Sequence, residues 1–331
     1  MTAVDCAREI ADTALEVSVV GSFSRLGYAA RRALFHWDET PADDLSGRVV
    51  IVTGATSGLG LVVAHELAAR HAHVWIVGRD ARRTETAREQ IVAATPDAQV
   101  TVVIADLASL ADVRACADAV MQSAPRVDAL VHNAGALAHE LRYTDDGIEI
   151  TAQVHVVSPF LLTTMLLPRL QSTAGARVVT VSSGGMYTQR LDLADLVTPR
   201  VPFHGSRTYA NAKRAQVVLN EMWARRPEAR GVVFHAMHPG WADTPGVQAS
   251  LPRFRSVMRP VLRSPAQGAD TIVWLTSAAE PLRTNGAFWL DRRPRSTTPL
   301  PWTNTGPGPA HELWNWCAQQ ADVAAMLEGR S

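Results

Sequence analysis

Short apolar runs alternate with longer amphipathic stretches along most of the chain, beginning near residue 48. Strands buried on both faces of a parallel sheet are nearly continuous in apolar residues, and each parallel connection needs room for a crossover helix. The alternation therefore predicts an α/β fold: a single doubly wound domain with a parallel sheet of about seven strands and helices on both faces. We predict strands at residues 49–52, 74–77, 100–104, 129–132, 177–181, 232–236 and 286–290, and helices at 58–70, 110–123, 147–170 and 209–225.

Two segments lie outside this alternation, so the predicted organisation has three parts. Residues 1–46 form a partly helical N-terminal extension, residues 47–291 the sheet domain, and residues 292–331 a C-terminal tail with a helix. Within the extension, residues 22–37 interleave arginines with aromatic and aliphatic side chains. That pattern fits a basic amphipathic helix on a membrane surface or, as we favour, a helix packed on its own domain. Three tail tryptophans are expected to pack against the domain or an interface: Trp302, Trp314 and Trp316.

Composition and charge narrow the class of protein. Hydrophobic residues make up 47% of the 331 residues and charged residues 19%, which predicts a globular protein with a large core. Lysine plus arginine equals aspartate plus glutamate at 32 each, so no global field favours binding to nucleic acid. The three cysteines lie far apart, with neither metal-ligand nor redox-pair spacing. This spacing predicts no metal site and fits a reducing cytosol.

Neither a targeting signal nor a membrane span is predicted. Acidic residues recur among the first 16 positions, unlike the basic start of a secretory signal. The longest apolar stretch, residues 154–167, is too short to cross a bilayer. We therefore expect a cytoplasmic protein, with peripheral membrane contact only if residues 22–37 bind a membrane surface.

A glycine-rich turn follows the first predicted strand directly and precedes a predicted helix. Glycines there let the chain turn sharply and let a pyrophosphate approach the backbone amides at the helix N-terminus. A strand, such a turn and a helix in this order predict the dinucleotide site of a Rossmann-type domain. The candidate cofactor-binding residues in the turn are Thr53, Gly54, Thr56, Ser57, Gly58, Leu59 and Gly60.

The end of the second predicted strand bears on the choice of cofactor. NAD-binding domains usually place an acidic side chain here, which holds the ribose 2′-hydroxyl. This chain instead has Arg79, whose guanidinium could bind a 2′-phosphate, and we therefore predict NADP(H) rather than NAD(H). The alternative is that Asp80 supplies the acid and Arg79 is merely solvated.

Further cofactor contacts are expected after later strands, because the carboxyl ends of parallel strands share one edge of the sheet. The residues after the third strand could contact the adenine, and those after the fourth give a close backbone approach. A rigid turn after the sixth strand could hold the nicotinamide amide and so orient the ring. The candidates are Asp106 and Leu107, then Asn133, Ala134 and Gly135, then Pro239, Gly240, Trp241 and Thr244.

A tyrosine and a lysine four residues apart share one helix face and suggest the chemical centre. They are Tyr209 and Lys213, and both are also candidates for cofactor binding. A neighbouring cation favours the phenolate, so Lys213 is expected to lower the tyrosine pKa. Ser183, or else Ser182, follows the fifth strand and could hydrogen-bond the substrate oxygen. We predict Ser183, Tyr209 and Lys213 as catalytic residues.

Taken in order, TGATSGLG, HNAG, the serine pair, YANAK and the Pro-Gly turn resemble the short-chain dehydrogenase/reductase family across about residues 47–290. SSGGMYTQRLDL, MHPGWADTPGV and AQGADT resemble more narrowly its member-twelve type, near the retinol dehydrogenase-like branch. The resemblance implies hydride transfer between NADP(H) and an alcohol or carbonyl, with Ser183, Tyr209 and Lys213 catalytic. Family habit also suggests homodimers or homotetramers, formed through the helices that carry His155 and Tyr209.

One position departs from the family pattern. The family usually has an asparagine in the helix after the fourth strand, where it holds a water in a proton relay through the lysine. The spacing places His155 there. An imidazole can accept or donate a proton, so we name His155 as a fourth catalytic candidate, in a modified relay. Alternatively it is a core histidine, and the protein is a catalytically weak NADP(H)-binding sensor or partner-binding protein.

The substrate is expected to be a small lipophilic alcohol, ketone or aldehyde. Residues 184–206 and 247–264 should flank the nicotinamide, and both segments are rich in apolar side chains. The same side chains could instead close these loops onto the domain. They are Met186, Tyr187, Leu191, Leu193, Leu196, Val201, Phe203, Leu251, Phe254 and Met258.

Overall fold

The computed structural model describes residues 3–37, 43–250 and 252–328. Its strands form one eight-stranded sheet in the order β3-β2-β1-β4-β5-β6-β7-β8. All neighbours pair in parallel except β7 and β8, which are antiparallel. The strands are β1 (Val49–Thr53), β2 (His73–Gly78), β3 (Val100–Ile104), β4 (Ala129–His132), β5 (Arg177–Val181), β6 (Val233–Met237), β7 (Phe288–Leu290) and β8 (Arg293–Arg295). The predicted doubly wound fold is confirmed.

Helices cover both faces of the sheet, and further helices lie before the first strand and after the last. They are α1 (Ala3–Val17), α2 (Val19–Phe23), α3 (Arg25–Leu34), α4 (Gly58–Ala68), α5 (Ala81–Ala94), α6 (Leu110–Ser123), α7 (Ile150–Ala152), α8 (Ser158–Gln171), α9 (Leu193–Val197), α10 (Gly205–Trp223), α11 (Pro245–Ser250), α12 (Pro252–Met258), α13 (Pro265–Ser277), α14 (Pro307–Gln320) and α15 (Ala324–Glu328). One core lies between the sheet and α4, α5 and α13, and the other between the sheet and α6, α8, α10 and α14.

The antiparallel strand β8 was not predicted, and it lies beyond residue 291, where the sheet domain was expected to end. Its sequence is Arg-Pro-Arg, which has none of the apolar alternation by which strands are recognised. Proline and charge are tolerated there because β8 is an edge strand. The two residues of the hairpin, Asp291 and Arg292, have φ of 54° and 55°, as a tight turn between twisted strands requires.

The helix predicted at residues 147–170 begins at Ile150 and is interrupted. A π-helical turn, Gln153–Val157, separates α7 from α8 and contains His155. Such turns are rare in proteins, and those that occur are often found at functional sites. The whole segment Ile150–Gln171 is also longer than the predicted apolar stretch and is apolar enough to span a membrane by composition alone. In this structure 78% of its most apolar window is buried, as in a core helix.

The C-terminal helix α14 covers the helices that were expected to form an oligomer interface. Trp314 of α14 is buried, and its ring centroid lies 4.6 Å from that of Trp223 in α10 and 4.9 Å from that of Phe160 in α8. Trp302, by contrast, is 67% exposed, and Trp316 is partly buried against the same core. This chain's own tail therefore occupies part of the face that the family resemblance suggested for assembly.

The N-terminal helices pack on the domain, as we favoured. Arg31 of α3 is fully buried and forms ion pairs with Asp12 of α1 at 2.7 Å and with Asp291 of the β7–β8 hairpin at 2.8 Å. Tyr28 and Trp37 are also buried, whereas Leu26 is 60% exposed. Most of the aromatic side chains within residues 22–37 thus contact protein.

Candidate active site

The glycine turn lies at the carboxyl end of β1. In the sheet, β1 lies between β2 and β4, and the strand order changes direction there. Gly54 and Gly58 have φ of 66° and 56°, a region that favours glycine. Ser57 is the N-cap of α4, and it makes no side-chain cap hydrogen bond within the described part of the chain. The first amides of α4 are therefore open to an anionic group, as a pyrophosphate site requires.

The turn is locked against the end of β4 by close packing and hydrogen bonds. A Cβ added to Gly60 would lie 2.3 Å from Asn133 Nδ2, and one added to Gly54 would lie 2.8 Å from Ala134 Cα. The Asn133 side-chain amide donates to the carbonyl of Thr53 at 3.0 Å. The buried Thr53 hydroxyl accepts from the amides of Asn133 and Ala134, both at 3.1 Å. Thr53 and Asn133 thus hold together two candidate cofactor segments that are about 80 residues apart in sequence.

The residues after β2 surround the position expected to hold the adenosine ribose. The Asp80 carboxylate is the N-cap of α5 and accepts from the amide of Arg83 at 2.8 Å. Arg79 is exposed at the end of β2. Beside it, a surface pocket is lined by Thr56 of the glycine turn together with Asp80, Arg82 and Arg83, among others. This pocket is rich in cationic and hydrogen-bonding groups.

The residues after β3 have structural partners of their own. The Asp106 carboxylate accepts from the amide of Ala108 at 2.9 Å, and the Leu107 side chain is buried in the core. Ser158 of α8 donates its hydroxyl hydrogen to the Leu107 carbonyl at 2.6 Å. Of Asp106 and Leu107, the backbone groups and part of the Asp106 side chain are therefore the groups available to a nucleotide.

Ser183 and Tyr209 meet at the carboxyl edge of the sheet. The Ser183 side chain lies close enough to Tyr209 to act on the pKa of its phenol. The neighbouring Ser182 is turned away, because its buried hydroxyl donates to the carbonyl of Lys213 at 2.9 Å. The structure therefore brings Ser183, rather than Ser182, to the tyrosine.

The electrostatics of the Tyr209–Lys213 pair differ from expectation. Burial raises the pKa of Tyr209, and the nearby Ser183 side chain only opposes that rise. Burial also lowers the pKa of Lys213 to about 7, so at neutral pH the lysine is not a full cation. Its Nζ donates to the carbonyl of Val181 at 2.9 Å and lies 5.5 Å from the centre of the tyrosine ring. Lys213 is not among the groups that shift the pKa of Tyr209, so the predicted lowering by the lysine is not seen in this arrangement, where desolvation dominates.

His155 is fully buried beside the tyrosine. Their ring centroids are 5.3 Å apart, edge to face. The Nε2 atom accepts from the amide of Ala136 at 2.9 Å, which ties the π-helical turn to the segment after β4. Burial, and then the charge of Lys213, hold the pKa of His155 well below its usual range. A neutral ring that accepts at Nε2 carries its proton on Nδ1, and Nδ1 has no partner among the described residues.

The turn after β6 contacts both the glycine turn and the N-terminal extension. Thr244 lies against Gly58: a Cβ on this glycine would be 3.6 Å from Thr244 Cβ. The Thr244 hydroxyl accepts from the amide of Val247 at 3.3 Å and so caps α11. On the other side, the amide of Trp241 donates to the carbonyl of Phe23 at 2.8 Å. Sequence reasoning did not connect Phe23 with the site, because no local signal marks a contact across more than 200 residues.

The two loops expected to flank the substrate divide between core and site. Several of their apolar side chains close the loops onto the domain, and those that are fully or nearly fully buried are Met186, Leu191 and Leu196. Val201 is 84% exposed, and Leu251 lies outside the described residues. Phe254 of α12 is half-buried, and its ring centroid lies 5.5 Å from that of Trp241. Of the expected pocket residues, Phe254 thus contacts the turn after β6, and so does Tyr187, whose ring centroid lies 5.9 Å from that of His238.

Comparison with known proteins places this arrangement in a family. A family model described as short chain dehydrogenase matches residues 48–253. The human protein named dehydrogenase/reductase SDR family member 12 is 40% identical over 269 residues, covering 81% of this chain and 84% of that protein. Human retinol dehydrogenase 12 is 32% identical over 280 residues, covering 82% and 85% respectively. A crystal structure of a Mycobacterium paratuberculosis protein superposes with a TM-score of 0.67 at 30% identity, covering 85% of this chain and 96% of that chain.

The family model and these relatives span most of the sheet domain, including every candidate motif from the glycine turn to the turn after β6. This chain therefore belongs to the short-chain dehydrogenase/reductase family.

Proposed function

We propose that this chain, an oxidoreductase of CH–OH and C=O groups by its family, uses NADP(H) to interconvert an alcohol and a carbonyl on a lipophilic small molecule. The observation that carries the proposal is that Ser183 and Tyr209 lie together, one helical turn from Lys213, at the edge of the sheet that also carries the glycine turn.

The residues present fit a dinucleotide. The glycine turn offers open helix amides and leaves no room for side chains at Gly54 and Gly60. We assign the pyrophosphate to residues 54–60, the adenosine to residues 79–83 and 106–107, and the nicotinamide to residues 133–135 and 239–244. When bound, the cofactor supplies the hydride acceptor for oxidation or the hydride donor for reduction.

The roles of the chain's own residues follow from their protonation. The raised pKa of Tyr209 keeps its phenol protonated at neutral pH, so it can give a proton to the substrate oxygen during reduction. In oxidation the phenol must first lose its own proton, and the resulting phenolate takes the proton of the alcohol. Ser183 donates a hydrogen bond to the same oxygen. With a pKa of about 7, Lys213 can pass protons at neutral pH, and His155 with its free Nδ1–H is a candidate for the next position in that relay.

The preference for NADP(H) rests on the arrangement after β2. The Asp80 carboxylate is engaged as a helix cap through Oδ1, which accepts from the Arg83 amide, so α5 fixes its orientation. Arg82 and Arg83 instead line a pocket together with Thr56 of the glycine turn, and the exposed Arg79 precedes Asp80 in the chain. A 2′-phosphate is the group that such cations bind best.

A lipophilic substrate is supported by the side chains around the turn after β6. Phe23, Trp241 and Phe254 are all half-buried and keep part of their apolar surface accessible. The similarity to a protein named retinol dehydrogenase 12 points the same way.

Substitution of Tyr209 by phenylalanine tests the proposal. The change removes one oxygen, so kcat/KM for a lipophilic aldehyde should fall by roughly 10²-fold to 10⁴-fold, the contribution of general acid catalysis. The Kd for NADPH, measured by fluorescence titration, should stay within about twofold because the ring remains. Tyr143→Phe, at a tyrosine that is 51% exposed, is the matched control and should keep full activity.

Two outcomes would contradict the proposal. Unchanged turnover in Tyr209→Phe would exclude the assigned proton donor. Tight NADPH binding by the wild type, without turnover of any carbonyl or alcohol, would instead favour the sensor.

A further inference from the structure

We propose that the N-terminal extension forms part of the substrate site, and that Phe23 determines specificity by contacting an aromatic portion of the substrate. This inference rests on the proposed function. It adds a substrate class, and it assigns a role at the site to a segment that lies before the residues matched by the family model.

The backbone at Phe23 is fixed to the turn after β6. Its carbonyl accepts from the amide of Trp241 at 2.8 Å and from Nε of Arg263 at 3.0 Å. Gly240, with φ of 70°, permits this approach, because a Cβ there would lie 2.7 Å from the Phe23 carbonyl oxygen. The segment proposed to hold the nicotinamide and the N-terminal extension therefore form one rigid unit.

The ring of Phe23 lies between the serine loop and that turn. A Cβ added to Gly184, the residue after Ser183, would lie 2.8 Å from Phe23 Cε2. On the other side, the ring centroid lies 5.7 Å from that of Trp241, edge to face, and 4.6 Å from that of His238. A substrate that is bound at Ser183 and is long enough to extend toward the turn after β6 would therefore contact Phe23.

A buried charge cluster holds the extension in place. We define it as Asp12, Arg31, Arg263, Asp291 and Arg295, which are almost completely inaccessible to solvent. Asp291 accepts from Arg31 at 2.8 Å and from Arg263 at 2.6 Å, so it joins α3 to the segment before α13. Although burial opposes ionisation of Asp12, hydrogen bonds from Arg295 and Arg31 lower its pKa. Such paired, hydrogen-bonded charges hold the segments in one arrangement, because breaking one pair leaves a buried charge without a partner.

Two further aromatic side chains continue from Phe23 beside the turn after β6. We call Phe23, Trp241 and Phe254 the aromatic row, since each ring contacts the next edge to face, at 5.7 Å and 5.5 Å. All three are half-buried, so part of each ring remains accessible. Aromatic rings gain more from another ring than from an alkyl chain of equal area. The row therefore fits a carbonyl compound with a flat aromatic body better than one with only an alkyl chain.

The test compares 2-naphthaldehyde, decanal and propanal as substrates of the full chain with NADPH. In Phe23→Ala, kcat/KM for 2-naphthaldehyde should fall about tenfold or more, chiefly through KM, and should fall less for decanal. Propanal is too small to reach the row, so its kcat/KM should change by less than about twofold. Phe23→Leu keeps the volume without the ring and should resemble Phe23→Ala for 2-naphthaldehyde but the wild type for decanal. Leu26→Ala, on the same segment but 60% exposed, is the control and should match the wild type with all three.

The possible failures are distinguishable. The Kd for NADPH should be unchanged in both Phe23 variants, since the main-chain hydrogen bonds of residue 23 remain; this readout also shows that they are folded. An active wild type whose relative kcat/KM values for the three aldehydes are unchanged by Phe23→Ala would overturn this inference alone. A wild type that binds NADPH but reduces none of them would contradict the proposed function, and this inference with it.

Discussion

The two sides of the candidate site are built in different ways. The nucleotide side, residues 53–60, 79–83 and 133–135, consists of turns that directly follow successive strands, and it is held by close backbone packing around glycines. The substrate side, the aromatic row and the buried charge cluster, assembles segments from both ends of the chain through ion pairs and ring contacts. One side of the site thus depends on residues next to the strands in sequence, and the other side depends on contacts between residues far apart in sequence.

The difference predicts where each side is vulnerable. The nucleotide side should fail when atoms are added where there is no space, whereas the substrate side should fail when charge is removed from a buried cluster. The four substitutions below test this contrast, beginning with the largest expected effect.

Asp291→Asn should cause the largest loss of stability. Asparagine tolerates the positive φ of 54° at this position, so the change removes charge with little backbone strain. Arg31 and Arg263 would then share an uncharged partner in a buried environment, which costs about 3–5 kcal/mol of unfolding free energy. Urea denaturation measures this. Glu66→Gln, which breaks the more accessible pair with Arg70 on α4, is the control and should cost about 1 kcal/mol or less. Equal losses in the two variants would refute the role of the charge cluster.

Gly60→Ala should damage the nucleotide side. The added methyl group would lie 2.3 Å from Asn133 Nδ2 and 2.4 Å from the Gly54 carbonyl oxygen. Backbone must therefore shift, which costs about 1–3 kcal/mol and distorts the turn that is proposed to bind pyrophosphate. We expect NADPH binding, followed by fluorescence titration, to be lost. Gly308→Ala, at a glycine with open space around it, should bind NADPH normally. Full binding by Gly60→Ala would argue against this site.

Arg79→Ala should affect only the choice of cofactor. Loss of one exposed charge-assisted hydrogen bond to the 2′-phosphate should raise the Kd for NADPH about tenfold and leave that for NADH unchanged. Arg88→Ala is the control on α5, because Arg88 pairs with Glu85 and is not among the lining residues of the pocket. If Arg79→Ala has no effect while Arg83→Ala weakens NADPH binding, the phosphate lies in the neighbouring pocket instead.

Lys213 should produce the smallest effect, a pH dependence of stability without cofactor. Burial lowers its pKa from 10.5 to about 7, so between these values the unfolded chain binds a proton that the folded chain does not. The unfolding free energy should therefore rise with pH in this window, by at most about 1.4 kcal/mol per pH unit, and the full penalty applies below pH 7. Urea denaturation at pH 7.5 and pH 9 should show a smaller rise in Lys213→Met than in the wild type. Identical slopes would mean that the lysine stays charged when buried.

Much of the fold and the nucleotide side could be predicted, because both depend on local patterns. Buried parallel strands carry continuous apolar runs, and six of the seven predicted strands match the observed bounds within about one residue at each end. Sequence spacing also placed His155 at the helix position where the family usually has an asparagine. The hydrogen bond of His155 to Ala136 and the π-helical turn around it could not be predicted, since an irregular turn within a helix has no characteristic composition.

The amino-acid sequence by itself determined the doubly wound sheet, the glycine turn at its switch point and the Tyr209–Lys213 face, because periodicity and short-range spacing encode each of them. Only the tertiary structure decided that Ser183 rather than Ser182 meets Tyr209, that burial raises the tyrosine pKa, and that Phe23 reaches the site. The physical reason is that desolvation and contacts between distant segments depend on what surrounds a residue in space, which no local pattern records.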